Sequence, residues 1–540
     1  MAINTDFLEF WKSSGKMRRI YLVVLVFVFT CNISYSQTTD TILTRLFQNS
    51  YKVIDAMRLP GGFYLDALAL GGAGAKPAAL NANGVGLISL CIADSMYKKT
   101  GDDVNWDANA ESKALQTIDE WIRLKNTPGA TNVNGLFHRY FKPTDGSWVW
   151  VTEHSTIDNA LLAAGFLFCR NYFHNNSEIV EKTTILLNSM DFTAAISAQG
   201  DKMYMILDDK GNTSVQANPF NEYLILAWFA KNSNPSFPRY AIAQTYWNNK
   251  FSDAGSLPKF NYPDGNVTLS EWTNSAQPSF HVQFCFYYCN YFGKNADYMN
   301  YFKNAATADK TWWQNNTSQQ IAWGCGAGEI PGGGYSADAV NKNPNKIVSP
   351  HIVAGFSPID PEVRNDLVAL YASGEGNGIY KIPGTDRDFI WRYKLNEPNT
   401  KTSYVQAVDF STFFYGLAAL PEYLGPEFFT KYNDFDFSTT TSVNELKMDE
   451  NQLENSPNPF RDQTKISFEL TEKAKVTLEV YNLNGQKIKQ LLNNEMSAGK
   501  HAVQWNVRNE HNIQTEPGVY ICRMLIDNQS QFTRQMLVIK

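Results

Sequence analysis

Residues 148–167 read WVWVTEHSTIDNALLAAGFL, and this stretch predicts the fold of the larger part of the chain. From Ile157 onward, apolar residues recur at intervals of three and four, which is the period of a helix that packs into a core. Ser155 is followed three residues later by Asp158, a spacing typical of a capping box, so the helix is expected to begin at Ser155. Asp158 and Glu153 therefore stand at the start of a core helix, beside two tryptophans.

The same helical period continues along most of the chain, between loops rich in Gly, Asn and Pro. Helices are expected over 41–57, 85–98, 111–123, 157–172, 177–187, 219–230, 239–248, 280–291, 298–315, 361–372 and 409–420. Many are apolar on more than one face, as buried inner helices are. About a dozen helices within 39–429 predict an all-α (α/α)6 barrel, and the turn residues 208–212 predict a hairpin between two of the helices.

The N-terminal residues 1–36 are predicted to be a signal peptide. The basic run 16–19 precedes the apolar run 20–30, and small residues at 34–36 offer a cleavage site before Gln37. The apolar run is too short to span a bilayer comfortably. Export from the cytoplasm is therefore expected.

The C-terminal part of the chain changes character. Residues 430–453 are polar and of low complexity, which indicates a linker. Beyond them, five runs alternate between apolar and polar residues, as half-buried strands do. These are 465–470, 476–481, 502–507, 519–526 and 532–539. Residues 454–540 are thus predicted to form a small all-β, Ig-like sandwich.

Composition and charge exclude several classes of function. The 540 residues are 44% hydrophobic and 19% charged, with a net charge of −6, which argues against a nucleic-acid partner. No phosphate-binding loop is present. The seven cysteines have no regular spacing, and Cys285 and Cys289, which share a helix face, have no His or Cys partner nearby. No metal site and no cofactor are predicted.

Three acids recur at one position of the predicted helices. Asp158, Glu222 and Asp409 each fall in the first turn of an apolar helix, and Asn218 with Pro219 would begin the second of these helices. In a barrel of helices, alternate helix ends meet on one face, so the acids could line a single cleft. The helix dipole alone also favours acids in first turns, and this simpler explanation stays open.

The C-terminal motifs occur in a family-specific order. They are Asn458-Pro459-Phe460, VYNLNGQ at 480–486, GKHAVQWN at 499–506, Gly518-Val519-Tyr520 and the terminal Lys540. This set resembles the type A sorting domain of the type IX secretion system of Bacteroidota. The resemblance implies a partner in that secretion machinery, and a secreted or cell-surface protein exported through the periplasm and outer membrane. A carbohydrate-binding sandwich is the alternative.

The helical part carries a second set of motifs. They are GLFHRYF at 135–141, Trp148 with Trp150, STIDNALLAAG at 155–165, FNEY at 220–223, Trp323-Gly324, Gly334-Tyr335, the segment 349–358 and Val408-Asp409. Over 45–425 the chain resembles the glucoamylase-like group that includes the endo-β-1,2-glucanases of glycoside hydrolase families 144 and 162. It differs from that group at Asn290, where Asp is frequent, and at 329–333, where EIPGG replaces Asp-Gly-Pro.

The resemblance implies roles for two of the acids. Glycosidic cleavage needs one protonated carboxylic acid and one ionised carboxylate. Glu222 is the expected general acid, because its apolar neighbours would raise its pKa. Asp409, expected in a more polar setting, would be the base that activates water, which makes the enzyme inverting.

The remaining candidates are expected to bind substrate. Glu153 and Asp158 would hold sugar hydroxyls, with a solvated loop acid and a helix cap as the respective alternatives. His154 is expected to be exposed. Four aromatic residues are candidate stacking platforms for sugar rings. They are Trp148, which could equally belong to the core, Trp150, Trp323 and Tyr335.

These observations predict a secreted glycoside hydrolase that acts on a polysaccharide or oligosaccharide, most specifically an endo-acting, inverting β-1,2-glucanase. A non-catalytic surface glycan-binding protein is one alternative, favoured by the departures at Asn290 and Glu329. A polysaccharide lyase is the other, since helical barrels host lyases too, although the acidic and Arg-poor sequence disfavours it.

Overall fold

The computed structural model describes residues 40–150, 153–262, 265–273, 275–373, 378–397, 399–437, 453–470, 473–482, 486–526 and 530–539. The chain divides into two compact units between Ser438 and Thr439. The predicted signal peptide lies outside the described residues, as do residues 438–452 of the predicted linker. Among the described residues, no helix combines the length and apolarity needed to cross a membrane.

The first unit is built mainly from helices. The helices of its described residues are α1 (40–55), α2 (Leu80–Thr100), α3 (Ala110–Lys125), α4 (Thr156–Tyr172), α5 (Ser177–Ser189), α6 (Tyr223–Lys231), α7 (Tyr240–Lys250), α8 (Phe280–Tyr288), α9 (Asn290–Lys294), α10 (Ala296–Asn316), α11 (Pro350–Gly355), α12 (Val363–Ala372), α13 (Ala407–Ala418) and α14 (Glu427–Tyr432). The helical character expected of this unit is confirmed.

Short antiparallel strands connect the helices. They are β1 (Ala67–Ala69), β2 (Ala78–Ala79), β3 (Tyr140–Phe141), β4 (His154–Ser155), β5 (Tyr204–Leu207), β6 (Thr213–Gln216), β7 (Lys259–Asn261), β8 (Val267–Leu269), β9 (Ala327–Glu329), β10 (Tyr335–Ala337), β11 (Ile347–Val348), β12 (Ile379–Lys381), β13 (Asp388–Ile390), β14 (Tyr393–Lys394) and β15 (Tyr404–Gln406). The predicted hairpin at 208–212 is confirmed as the turn between β5 and β6. β1 pairs with β15, which joins distant parts of the chain beside the start of α13.

Two glycines allow the helices that carry candidate acids to pack closely. A Cβ atom added to Gly84 on α2 would overlap the carbonyl of Leu161 on α4, and one added to Gly416 on α13 would overlap the carbonyl of Ala354 on α11. Since protein interiors are close-packed, larger residues at these positions would push the helices apart. The close approach positions the starts of α4 and α13 relative to their neighbours.

Three expected boundaries are wrong. The helix expected over 219–230 begins only at Tyr223, because the side chain of Asn221, and not that of Asn218, accepts a hydrogen bond from the Tyr223 N–H (3.0 Å). The helix expected over 280–291 breaks at Cys289, which has an extended backbone. The linker begins later than residue 430, since Phe435 packs on Trp228 of α6 (ring centroids 4.7 Å apart).

The C-terminal unit consists of two antiparallel sheets around one core. Its strands are β16 (Leu453–Ser456), β17 (Thr464–Leu470), β18 (Ala474–Asn482), β19 (Lys487–Met496), β20 (Gly499–Trp505), β21 (Gly518–Ile526) and β22 (Ser530–Val538), in the orders 16-17-20 and 19-18-21-22. The five predicted strands are present, whereas β16 and β19 were not predicted. The fully buried Trp505 lies in the shared core and donates from Nε1 to the carbonyl of Arg508 (3.1 Å).

Candidate active site

The start of α4 follows the capping prediction. The Ser155 side chain accepts from the Asp158 N–H, and the Ser155 hydroxyl donates back to the Asp158 carboxylate. Asn81 on α2 donates to Asp158 Oδ1 (2.6 Å), and Arg139 Nε lies 3.2 Å from Asp158 Oδ2. Asp158 is therefore buried with its oxygens engaged by protein groups, so a sugar hydroxyl would have to share them.

Arg139 connects the two predicted binding acids. Its Nη1 lies 3.4 Å from Glu153 Oε1, while its Nε faces Asp158. The pKa of the guanidinium is raised, first by Asp158, so the group stays charged. Glu153 is half-buried and paired with Arg139, so it differs from the solvated loop acid of the alternative explanation. Arg139 belongs to the sequence motif 135–141 but is not among the site residues that the sequence predicts.

Asp409 lies at the start of α13 in a buried position. The hydroxyl of Tyr335 is 3.1 Å from its Oδ1 and 3.0 Å from its Oδ2. Burial raises the pKa of Asp409 from 3.8 to about 7, against the hydrogen bond from Tyr335 and the charge of Arg392, which lower it; Asp66 raises it further. The expected polar setting of Asp409 is thus wrong, because the β9–β10 hairpin that carries Tyr335 covers the carboxylate.

That hairpin is held by a buried ion pair. The fully buried Arg392 pairs with Asp338 and donates to the hydroxyl of Ser336 (3.0 Å) and to the carbonyl of Gly328. These contacts fix both β9 and β10, and with them the position of Tyr335. The glycine-rich segment 324–334 is therefore anchored at both strands, with only its turn 330–334 outside this network.

Glu222 immediately precedes α6, at its N-cap position. Its Oε2 lies 3.1 Å from Nε2 of the buried His281 on α8, and its side chain is 21% exposed. The neighbouring Asn221 donates from Nδ2 to Glu271 Oε1 (3.1 Å), next to the exposed Trp272. Glu222 is thus more open than Asp409, the reverse of the expected order of burial.

Asp409 and Tyr223, the residue after Glu222, both lie within electrostatic range of the Arg139–Asp158 pair. Arg139 lowers the pKa of Asp409. The pKa of Tyr223, the residue after Glu222, is raised first by burial and then by Glu222 and Asp158. The starts of α4, α6 and α13 therefore meet in one region of the helical unit.

Asp66 is an acid of this region that the sequence reasoning missed. It precedes β1, and its carbonyl accepts from the N–H of Ala407 at the start of α13 (2.9 Å). Burial raises its pKa to about 6, with Arg139 lowering it and Asp158 raising it. The available signal was a single acid inside the otherwise apolar run 63–70.

Glu329 also lies at the edge of this region. It is buried, its carboxylate accepts from the Tyr404 N–H, and burial raises its pKa. The nearby Lys76 lies over the Tyr404 ring, 4.1 Å from the centroid, and 5.8 Å from that of Trp150. The departure from the family pattern at Glu329 thus places a carboxyl group beside aromatic rings and a cation.

The predicted aromatic platforms divide into two groups. Trp148, Trp150 and Tyr335 are 51%, 53% and 57% exposed, so their ring faces are accessible. Trp323 is only 1% exposed: it stacks on Phe356 (6.0 Å between centroids, 13° between planes). The prediction that Trp323 binds sugar is wrong, because its ring belongs to the core. The alternative that Trp148 is a core residue is wrong as well.

A separate group of His138, His154 and Asp209 could hold a metal ion. His154 is buried, so its expected exposure is wrong; β4 turns its ring inward against that of His138. Burial and then His154 lower the pKa of His138 to about 4. The sequence showed no metal-site spacing here, since the third member, Asp209, lies 55 residues beyond His154.

Residues 456–540 match the protein family described as the Secretion system C-terminal sorting domain. This agrees with the sorting-domain resemblance and indicates export through the type IX system, to the cell surface or as a secreted protein. A comparison with curated proteins finds no match.

Solved structures resemble the helical unit. An endo-β-1,2-glucanase from Chitinophaga pinensis, in complex with sophorotriose and glucose, is 15% identical with a TM-score of 0.59, over 73% of this chain and 97% of that chain. A β-1,2-glucanase from Parabacteroides distasonis is 13% identical with a TM-score of 0.55, over 73% and 58%. An endo-β-1,2-glucanase from Talaromyces funiculosus is 11% identical with a TM-score of 0.52, over 73% and 85%. At these identities the likeness is one of fold.

Proposed function

We propose that the helical unit is a glycoside hydrolase that cleaves a β-glucan, as an endo-acting, inverting β-1,2-glucanase. The observation that carries the proposal is a pair of carboxyl groups, Glu222 and Asp409, on two helix starts around the Arg139–Asp158 pair. The similar fold of glucanases that act on β-1,2-glucan favours this substrate. The proposal includes closure of the helices into an (α/α)6 barrel, and an Ig-like form for the β unit.

Asp409 acts as the general base in this proposal. A base works best when its pKa lies near the working pH, and that of Asp409 is about 7. The Tyr335 hydroxyl donates to the carboxylate and orients it. Asp409 removes a proton from the attacking water, directly or through a substrate hydroxyl, and attack from the face opposite the leaving group inverts the anomeric centre.

Glu222 acts as the general acid. Its position at the open side of the region allows it to reach the leaving oxygen or a hydroxyl that relays the proton. The neighbouring His281 can hold the carboxyl group in place. Trp148 and Trp150 supply exposed rings on which pyranose faces can stack, with Glu153 and Asp158 as polar contacts.

The test uses the purified full chain with a panel of β-glucans of different linkage. We expect oligosaccharides from β-1,2-glucan, and a loss of about 10²–10⁴-fold in kcat in Glu222→Gln, the range for one acid–base group. The matched control is Glu178→Gln, which removes a carboxylate exposed on α5 and paired with Lys182. A fall in viscosity ahead of reducing-end release marks endo action, and α-anomeric products in proton NMR mark inversion.

Other outcomes decide against the proposal. If Glu222→Gln and the parent turn over the substrate equally fast, Glu222 takes no part in the chemistry. Binding to the panel without turnover supports a surface glycan-binding protein, and ultraviolet absorbance from an unsaturated product supports a lyase. Activity only on another linkage retains the hydrolase but overturns β-1,2 specificity.

A further inference from the structure

We propose that His138, His154 and Asp209 form a binding site for one divalent transition-metal ion, with zinc as the preferred ion. The three residues lie on the β4–β5–β6 sheet and on the segment that leads into β3. One ligand atom from each residue lies within 4.8 Å of those of the other two. The site is independent of the glucanase proposal, because none of its three side chains is a group assigned to substrate.

Backbone hydrogen bonds hold the three segments in register. The N–H of Arg139 donates to the carbonyl of Glu153 (3.0 Å), which fixes the segment of His138 against β4. β4 in turn pairs with β5 at His154. The N–H of Val133 donates to the carbonyl of Asp209 (3.2 Å), which fixes the turn. The side chains are therefore brought together before any ion binds.

The two imidazoles carry polar atoms that lack partners. The His138 and His154 rings stack with centroids 4.1 Å apart and are 7% and 2% exposed. Within the described part of the chain, neither Nδ1 atom has a hydrogen-bond partner, and no hydrogen bond from the His138 ring is found. A buried polar group without a partner costs free energy. His154 turns its other ring nitrogen, Nε2, toward Asp209 (2.9 Å), so the unpartnered His138 ring beside this pair is the group that points to a bound species.

The donor set selects the kind of ion. Two imidazole nitrogens and a carboxylate oxygen suit zinc and its transition-metal neighbours, whereas calcium and magnesium prefer oxygen ligands throughout. Bonds of about 2.0–2.2 Å in a tetrahedral site place ligand atoms about 3.3 Å apart. His154 Nε2 and Asp209 Oδ1 are 2.9 Å apart, so a small side-chain rotation accommodates the ion. The 83% exposed Asp209 leaves access from solvent and room for water as a fourth ligand.

The position of the site defines what the ion would do. It would tie the β5–β6 turn to β4, which runs directly into α4. An ion that binds only the folded chain stabilises it by mass action. We therefore assign the ion a structural role beside the start of α4, where Ser155 and Asp158 lie.

The test uses the full chain without a histidine tag, stripped with a chelator and titrated with zinc chloride by calorimetry. We expect one zinc per chain, a higher melting temperature with zinc, and the visible absorption bands of a tetrahedral site after cobalt substitution. Asp209→Asn and His138→Ala should each weaken zinc binding at least about tenfold. The control His174→Ala removes a half-buried histidine that lies outside the cluster and should bind zinc like the parent.

Asp209→Asn keeps the test decisive if His138→Ala fails to fold, because Asp209 is exposed in a turn. The proposal is overturned if the stripped parent takes up no zinc in excess of His138→Ala. It is equally overturned if Asp209→Asn binds zinc as tightly as the parent. In either case the His154–Asp209 contact is a hydrogen bond only.

Discussion

Replacement of Tyr335 by Phe tests the assignment of Asp409 as the base. The Tyr335 hydroxyl is within hydrogen-bonding distance of both Asp409 oxygens, at 3.1 and 3.0 Å. A hydrogen bond to a charged group contributes about 1.5–3 kcal/mol, and one pKa unit corresponds to about 1.36 kcal/mol. The hydroxyl donates its single proton to the ionised carboxylate and so lowers the pKa. Its loss should raise the pKa of Asp409 from about 7 to about 8–9.

The assay is the pH dependence of kcat/KM on β-1,2-glucan. A base must be ionised, so the parent should gain activity as the pH rises through about 7. In Tyr335→Phe this acidic limb should move to higher pH by about one to two units, and kcat/KM at pH 7 should fall at least about fivefold. The retained ring keeps the stacking surface, so binding of the substrate should survive.

Tyr291→Phe is the matched control, because the Tyr291 hydroxyl donates to the carbonyl of Ser252 (3.1 Å), away from the candidate acids. Its pH profile should match that of the parent. An acidic limb that stays in place in Tyr335→Phe, or moves to lower pH, refutes the reasoning. If the parent instead loses activity as the pH rises through 7, Asp409 works in its protonated form and the two acids exchange roles.

Three further predictions concern stability and binding. In the folded chain the pKa of Asp409 is about 7, against 3.8 as its ordinary value, so the folded state binds this proton more tightly than the unfolded state. Ionisation of Asp409 therefore destabilises the fold as the pH rises between these two values, by at most about 4 kcal/mol. Asp409→Asn cannot ionise and should unfold at higher denaturant than the parent at pH 8 but not at pH 4; lower stability at pH 8 would contradict this. Trp150→Ala should raise KM about 2- to 10-fold with kcat retained, since its ring is exposed. Trp323→Ala should instead lower the free energy of unfolding by about 3–5 kcal/mol with KM unchanged, and a KM effect confined to Trp323→Ala would reverse the two assignments.

The local features of the site could be predicted from the sequence. The cap formed by Ser155 depends on residues three apart, and the acids at the starts of α4 and α13 follow from helical periodicity. The helix that follows Glu222 was expected too early, because Asn218-Pro219 is a strong start signal that the chain does not use. Asn221 supplies the hydrogen bond instead.

The environments of the acids could not be predicted, since they depend on distant segments. Asp409 is buried by Tyr335, which is 74 residues away in the chain. Asp158 is bound by Asn81, which is 77 residues away. Neighbouring residues in the sequence suggested the opposite order of burial for Asp409 and Glu222. Periodicity indicates which face of a helix is buried, but not which loop covers its end.

Two strands of the C-terminal unit were missed for a related reason. β19 lies at the edge of its sheet, and its residues are mostly polar and exposed or half-exposed. An edge strand needs less apolar sequence than a central one, so its alternation is weak. β18, a central strand, buries Val476, Leu478 and Val480 on one face and was correctly predicted.

The pairing of β1 with β15 has a consequence for the order in which the molecule matures. Tyr404 on β15 donates to the carbonyl of Gly74, and Tyr415 on α13 donates to that of Val85, each across 330 residues. Such contacts of high sequence separation form late, because a long loop must close first. During synthesis, the segment with Asp66 has to wait for nearly the whole helical unit to emerge before it meets Asp409. Asp409, the base of the proposed mechanism, and its surroundings would therefore assemble in one of the last steps of folding, and a nascent or truncated chain that ends before β15 would lack this part of the candidate site.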